Sequence, residues 1–501
     1  MRIRTIVLPL TASLALVVLF LLMAAQADAH PGATADLSLE EAGLNPEGAA
    51  YEINLNPEGA AYEINLGPSG HLWISDFSAD EIWQVDPTTA AYTVYQGIQA
   101  PSDARLDAAG FVWWGDGLAG RFGRLDPTSG VATWWAAPGA SSLFGTQIDG
   151  NGDLWVVGWD EAYLYRFQPA AGQLCTYTLP LDGIAAYPQH HDGSIWLGDE
   201  YNGRLLRLDP PAAQFVIWTL PPDSAPLGMA FDSAGALWYA DPNHAYLARF
   251  RPDADELDIY DPPTGFLPEM VAARGDSVWY SEHSEGAIGQ LKPALASSQT
   301  LTLTPTVSSA QVTCNQVMPA LTETVNKIQG TLDWTAQTYS LLADSDAWRV
   351  YGLPDEGPVQ PLPWGVAADA EQIWFVDTGR QVLGRMSDSL RVTACKLADA
   401  DGDLATTGDQ TPVEGWTIYL VVDGQRQEPG QLTGPTGCHV WGDLTPDRSY
   451  GVEEQVEPGW KALTPTTYQF GPILPGESHV AEFINVQELE TIYMPLVLRR
   501  N

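Results

Sequence analysis

Residues 70–76 read GHLWISD, and the phrase returns as GFVWWGD at 110–116, GDLWVVG at 152–158, GSIWLGD at 193–199, GALWYAD at 235–241, DSVWYSE at 276–282 and EQIWFVD at 371–377. Its tryptophans are Trp73, Trp113, Trp155, Trp196, Trp238, Trp279 and Trp374, spaced by 40, 42, 41, 42, 41 and 95 residues, the last gap being one period plus an insertion. Fourteen residues after each tryptophan stands Pro87, Pro127, Pro169, Pro210, Pro252 or Pro293, and Asp388 in the seventh repeat. Short aromatic and β-branched runs between Gly and Pro turns, at a period in the low forties, predict four-stranded propeller blades. A single blade cannot bury both faces, so stacking places each tryptophan between neighbouring sheets. The expected fold class is therefore all-β: a seven-bladed β-propeller over 59–390 closed by the N-terminal strand, followed by a small C-terminal β-sandwich.

Closure needs an outermost strand for the seventh blade, and the chain after Asp388 changes character. The N-terminal segment AAYEINL at 60–66 alternates like the outer strands and is the expected clasp. The phrase NPEGAAYEINL occurs twice in tandem, at 45–55 and 56–66, so the first copy is expected to be a spare strand or part of a leader spanning 30–58. An insertion at about 306–346 interrupts blade six. It opens rich in Thr and Ser and reads as helical from Pro319 to Leu342, a lid, a partner surface or a tolerated loop. Both SSQTLTLTP and AWRVYGLP fit the outer strand of that blade.

The first 29 residues carry Arg2 and Arg4, an apolar run from Ile6 to Ala25 and the small-residue site Ala27-Asp28-Ala29. Together they read as a secretory signal, with an uncleaved anchor as the alternative. The expected location is outside the cell or on its surface. A formal charge of −40 from 23 basic and 63 acidic residues repels phosphate backbones, so nucleic acid is not an expected partner. A monomer that binds a peptide or glycan is expected. The four cysteines, Cys175, Cys314, Cys395 and Cys438, allow three pairings in an oxidising compartment.

At the third residue after each tryptophan stand Asp76, Asp116, Asp199, Asp241, Glu282 and Asp377, with Gly158 the exception. Repetition in nearly every blade favours a turn-capping role over a cation site. The fourth position breaks symmetry: Phe77, Gly117, Trp159, Glu200, Pro242, His283 and Thr378. Glu200, His283 and Glu269 are the candidates for an acid and base constellation. Phe77, Trp159, Trp364 and Thr378 are the candidates for a binding face, with Trp114 as a further aromatic. His190 and His191 are adjacent on an extended segment, point apart, and read as surface.

The repeat Gly-x-apolar-Trp-x-x-acid, continued by strands such as GRFGRLDP, GAIGQLKP and TYTLP, resembles the virginiamycin B lyase family over roughly 59–390. The resemblance implies a propeller that opens a cyclic depsipeptide antibiotic by elimination, with magnesium polarising the substrate and a histidine as base. The positions matching the family's functional residues are Trp364 for the base, Leu362 for an upstream glutamate, Glu269 for a second histidine and Thr378 for a further glutamate. All four depart from the family pattern, and no Pro-His turn exists in the chain. A non-catalytic ligand-binding propeller is therefore expected. The alternative is a carbon–oxygen lyase or hydrolase using Glu269, His283 and Glu200, with magnesium needed only in that case.

From Arg391 the sequence runs RVTACKLADADGDLATTGDQTPVEGW, then TGPTGCHVWGDL and YGVEEQVEPGW. This stretch, 391–487, resembles the B-repeat and collagen-adhesin-type domains of bacterial surface proteins, small β-sandwiches that act as stalks and often bind calcium. Asp399, Asp401 and Asp403 alternate around Gly402, and Asp409 or Glu414 would complete a calcium shell. The register is not that of an EF-hand. Cys395 and Cys438 fall on expected strands of this domain and form the favoured bridge. The tail 488–501 is too short to span a membrane.

Overall fold

The computed structural model describes residues 50–487 except 56–58, 60, 160, 181–184, 264–265, 320, 333, 338–339, 346, 355–358, 370–371, 387–389, 405–409, 445–447 and 473–477. The signal at 1–29, the leader to residue 49, Asp409 and the tail at 488–501 lie outside the described residues. Every regular element among the described residues is a strand, gathered into nine five-stranded sheets. No described helix is long and apolar enough to cross a membrane.

Seven sheets follow the repeat and are antiparallel throughout, an arrangement consistent with a propeller. Sheet one starts with Ala61–Leu66, Leu72–Asp76, Glu81–Val85 and Ala91–Gln96. Sheet seven starts with Pro363–Ala368, Ile373–Asp377 and Val382–Met386. In every sheet the repeat tryptophan sits on the second strand and is buried against the next sheet. Trp73 joins a cluster with Trp114 and Leu125 of sheet two, and Trp155 one with Leu197 and Leu208 of sheet four. Trp374, Val376 and Leu383 of sheet seven pack on Ile64, Leu72 and Ile74 of sheet one. Four of these indoles also donate to an aspartate in the preceding turn: Trp113 to Asp107 at 2.8 Å, Trp155 to Asp149 at 3.0 Å, and Trp238 to Asp232 and Trp374 to Asp369 at 2.9 Å. A buried indole N–H needs such a partner, and the turn supplies it.

The two copies of the N-terminal repeat exchange the roles expected of them. Ala50–Asn54, from the first copy, pairs with Val382–Met386 as the fourth strand of sheet seven, the place expected of the second copy. The second copy, Ala61–Leu66, is instead the first strand of sheet one. Two neighbouring strand edges stand open there, and one alternating sequence fits both. In the first copy Glu52 receives both guanidinium nitrogens of Arg380, at 3.1 and 2.8 Å. The equivalent Glu63 has no such partner.

The insertion is neither a lid nor helical. Gln299–Thr302 leaves sheet six and becomes the fifth strand of sheet five. Pro305–Ser309 then joins sheet four, Gln311–Gln316 sheet three, Leu321–Thr324 sheet two, Asn326–Thr331 sheet one, Thr335–Gln337 sheet seven and Ser340–Asp344 sheet six. The chain thus runs backwards past all seven sheets as a belt before Trp348–Gly352 supplies the fourth strand of sheet six. AWRVYGLP, not SSQTLTLTP, is the outer strand of that sheet. The helical expectation fails because each four-stranded sheet presents a row of unpaired N–H and C=O groups, and an extended, Thr-rich segment satisfies them. Cys314 on the belt is bonded to Cys175 of sheet three, directly across the strand pair. Trp334 anchors the belt on sheet seven, 6.0 Å from Trp374 and beneath Arg385.

Residues 390–487 form the remaining two sheets around a separate core of Val392, Ala394, Ile418, Tyr450, Val452 and Phe483. The first strand, Leu390–Asp399, lies parallel to the last, Ser478–Gln487, and Cys395 is bonded to Cys438. Inside this core the fully buried Lys396 donates to Glu454 Oε2 at 2.9 Å, and Asn485 Nδ2 donates to the same oxygen at 3.1 Å. Burial lowers the Lys396 ammonium to about 8, against the pull of Glu454.

Candidate functional site

The acids three residues after the tryptophans are wholly buried and organise the turns that follow them. Asp116 accepts from Leu118 N and Arg121 Nε, Asp199 from Asn202 N and Arg204 Nε, and Asp377 from Gly379 N and Arg380 Nε. Glu282 takes Leu267 N, Ser284 N and Glu285 N. These carboxylates are spent on the fold, as their recurrence implied.

The residues one position further converge on the ends of the inner strands, and with them comes a set of side chains that the sequence reading passed over. Tyr62, Trp159, Tyr187, Leu227, Met270 and Trp364 form one buried cluster, with Phe144 against it. Trp364 stacks on Tyr62 at 5.2 Å, Phe144 meets Trp159 at 4.8 Å and Phe77 at 5.9 Å, and Tyr62 shares a hydrogen bond with Tyr187 at 2.9 Å. Most of these residues sit at bulges in the inner strands, between Ala61 and Glu63, Ala186 and Gln189, Pro268 and Val271, and Pro363 and Val366. A bulge turns its side chain out of the sheet toward the centre. Glycine lets neighbouring strands close up at that level: a Cβ on Gly365 would lie 2.8 Å from the Tyr62 carbonyl oxygen, and one on Gly228 2.5 Å from that of Glu269. The signal was present, since a large apolar or aromatic residue stands nine to eleven residues before six of the seven tryptophans.

The expected binding face is therefore largely interior. Trp364 and Trp159 are buried in the plug, and Thr378 is buried with its hydroxyl donated to the Leu362 carbonyl at 2.9 Å. Phe77 is half-buried over Phe144. Trp114 packs between sheets one and two and His191 stacks on Phe231 at 4.1 Å, both away from the plug.

Around the plug the structure brings the three acid and base candidates into one region. His283 Nδ1 lies 3.9 Å from Glu269 Oε2, beyond hydrogen-bond reach, and neither atom has another partner. The His283 ring meets Trp364 edge-on at 5.6 Å. Desolvation raises Glu269 to about 8, aided by the Glu282 charge, and raises Glu200 to about 8, aided by Asp199. Desolvation lowers His283. At neutral pH the region thus holds two largely protonated carboxyls and a neutral imidazole. Such a pair can pass a proton when a substrate atom sits between them, but here the surrounding space is occupied by the aromatic plug.

Magnesium does not fit the four positions that the resemblance singles out. The Trp364 and Leu362 side chains have no acceptor oxygen, the Thr378 hydroxyl is engaged, and Glu269 alone offers a carboxylate. In the second region Asp399 is buried and accepts from Gly402 N and from Gln410 Nε2 at 3.4 Å, while Asp401 accepts from Asp403 N at 2.8 Å. Glu414 is exposed nearby in sequence. Among the described residues no three His, Cys, Asp or Glu side chains are gathered at ligating distance.

Comparison with known proteins agrees with this scaffold. No curated protein sequence matches the chain. Among solved structures, virginiamycin B lyase from Staphylococcus aureus superposes with a TM-score of 0.52 at 18% identity, covering 67% of this chain and 98% of that one. A catalytically inactive histidine-to-alanine form of that enzyme with quinupristin gives 0.52 at 19%, covering 67% and 98%. A streptogramin B lyase gives 0.52 at 18%, covering 68% and 97%. At these identities the likeness carries the fold alone. The model of the Virginiamycin B lyase family matches residues 48–315, more than half of the sequence, and the chain belongs to that family.

Proposed function

We propose that this chain is a secreted or cell-surface ligand-binding protein on a closed seven-bladed ring that has lost the lyase chemistry of its family. The observation that carries this reading is Trp364: at the position matching the family's base stands an indole, 3% exposed and stacked on Tyr62. An indole in that place cannot take a proton, and it fills the centre where a substrate would enter. Ring closure is supported by the packing of sheet seven on sheet one and by the strand that the first repeat copy lends to sheet seven. Export is supported by the two disulfides. The ligand is a peptide or glycan, and arrays of both presented to the purified full chain should retain a defined structural class. Retention of none of them would overturn the binding role.

A second reading keeps enzymatic function, as a lyase or hydrolase working through Glu269, His283 and Glu200. It is favoured by the proximity of Glu269 to His283 and by the unpartnered Glu200 Oε1.

Residues 391–487 complete the proposal as a B-repeat-like, calcium-stabilised spacer. Asp399, Asp401 and Asp403, with Asp409 or Glu414, repel one another unless a cation sits among them. In calorimetry of the full chain, free calcium should raise the transition of this region progressively, as linkage requires, and leave the propeller transition in place. Asp401→Ala should remove the response. Identical melting in calcium and in chelator would show the acidic turn to be merely solvated.

A further inference from the structure

Behind the plug, toward the other end of the inner strands, lies a cavity of about 510 Å3. Strand register defines its side: Ala61 faces Asp76 at the plug end and Leu66 faces Leu72 at the far end, and the cavity is lined from Glu63 through Pro68. Tyr187 and Met270, members of the plug, form its closed end. Its wall is mixed, with Met229, Phe231, Val271 and Val366 giving an apolar stretch and Asn65, Arg105, Gln147 and Gln189 polar side chains.

Glu63 is the outlier in this wall. It is 4% exposed, and its Oε1 has no hydrogen-bond partner. The tandem repeat supplies an internal control, because Glu52 occupies the same place in an identical eleven-residue phrase and is clamped by Arg380 through two hydrogen bonds. A buried carboxyl oxygen without a partner is costly, and the twin Glu52 shows what a cationic partner supplies. Burial, and then the charge of Asp103, raises the Glu63 carboxyl well above the usual carboxylate range, while Arg105, whose Nε is directed to Asp103 at 3.1 Å, and the neighbouring Trp364 and Tyr187 side chains pull it back.

We propose that this cavity binds a small organic ammonium ion with an apolar body, whose N–H donors pair with Glu63 while its hydrocarbon part lies against Met229, Phe231, Val271 and Val366. One buried carboxyl beside an apolar stretch of wall suits an ammonium group with a hydrocarbon body and falls short of the oxygen shell that a divalent metal demands. The site adjoins the plug through Tyr187, Met270 and the Trp364 side chain beside Glu63, and its ligand is distinct from the peptide or glycan proposed above.

The test is titration calorimetry of the full chain, at physiological ionic strength, with n-hexylamine and with n-hexanol as its uncharged counterpart. Hexylamine should bind with one-to-one stoichiometry and about tenfold or more tightly than hexanol, the margin expected of a charge-assisted hydrogen bond. Glu63→Gln should weaken hexylamine by a similar factor and leave hexanol unchanged. Ala367→Phe, which fills the cavity from a second side, should abolish both while the melting transition shows that the chain is folded. Equal affinity for the two probes, absence of hexylamine binding, or hexylamine binding indifferent to Ala367→Phe would each overturn the assignment, even if Glu63→Gln failed to fold.

Discussion

Replacing Cys175 and Cys314 by serine should loosen the belt and lower the propeller transition by roughly 10 °C. The bond closes a loop with a sequence separation of 139 residues, for which chain entropy assigns about 4–5 kcal/mol of stabilisation. The belt needs that help because its strands are largely exposed and hold to each sheet by a single ladder of hydrogen bonds. Hydrogen exchange should report where the loss falls. Amides of Pro305–Ser309 and Gln311–Gln316 should exchange much faster in the variant, while the second strands carrying Trp155 and Trp196 keep their protection. Unchanged exchange along the belt, with an unchanged transition, would show that the disulfide is incidental.

The second large effect is on pH. Glu200 and Glu269 are raised to about 8 by burial, against about 4.3 in an unfolded chain. Between those values the native state holds more protons than the unfolded one, so stability falls as pH rises through the window and levels off above about 8. His283, whose imidazole is lowered by burial, acts in the opposite sense below about 6.5, where unfolding takes up a proton. The decline should therefore be visible chiefly between pH 6.5 and 8.5. Allowing for partial exposure of both carboxyls, its total should be on the order of 2–4 kcal/mol. Glu200→Gln and Glu269→Gln should each flatten the curve and raise stability at pH 8.5. A wild-type profile that is level from pH 6.5 to 8.5 would mean that these groups are ionised and solvated.

The repeat was legible because burial of one tryptophan per sheet imposes a fixed register on the chain, and register survives in sequence as period. The turn acids at Asp116, Asp199 and Asp377 were legible for the same reason. What escaped was whatever depends on contacts distant along the chain. Two identical phrases, at 45–55 and 56–66, carry no local sign of which strand edge each will fill; only the bulge that buries Tyr62 and the meeting of Glu52 with Arg380 separate them. The belt read as helix at Pro319–Leu342 because Ala320, Leu321, Leu341 and Leu342 suit a helix locally. Open sheet edges overrode that preference. Of the site candidates, Glu269 and His283 lie 3.9 Å apart, whereas Trp159 and Trp364 pointed to an open stacking face and are instead buried in the plug. An aromatic at a repeat position is compatible with either outcome until its neighbours are known, and Phe144, Tyr187 and Met270 were the neighbours that decided.

The most direct measurement incubates the full chain with quinupristin and added magnesium and follows the ring-opened product by mass spectrometry, beside His283→Ala. With Trp364 in the place of the base, the product should accumulate no faster than in buffer alone, in both proteins. Turnover by the wild-type chain that His283→Ala abolishes would contradict the binding role and establish His283 as a relocated catalytic group.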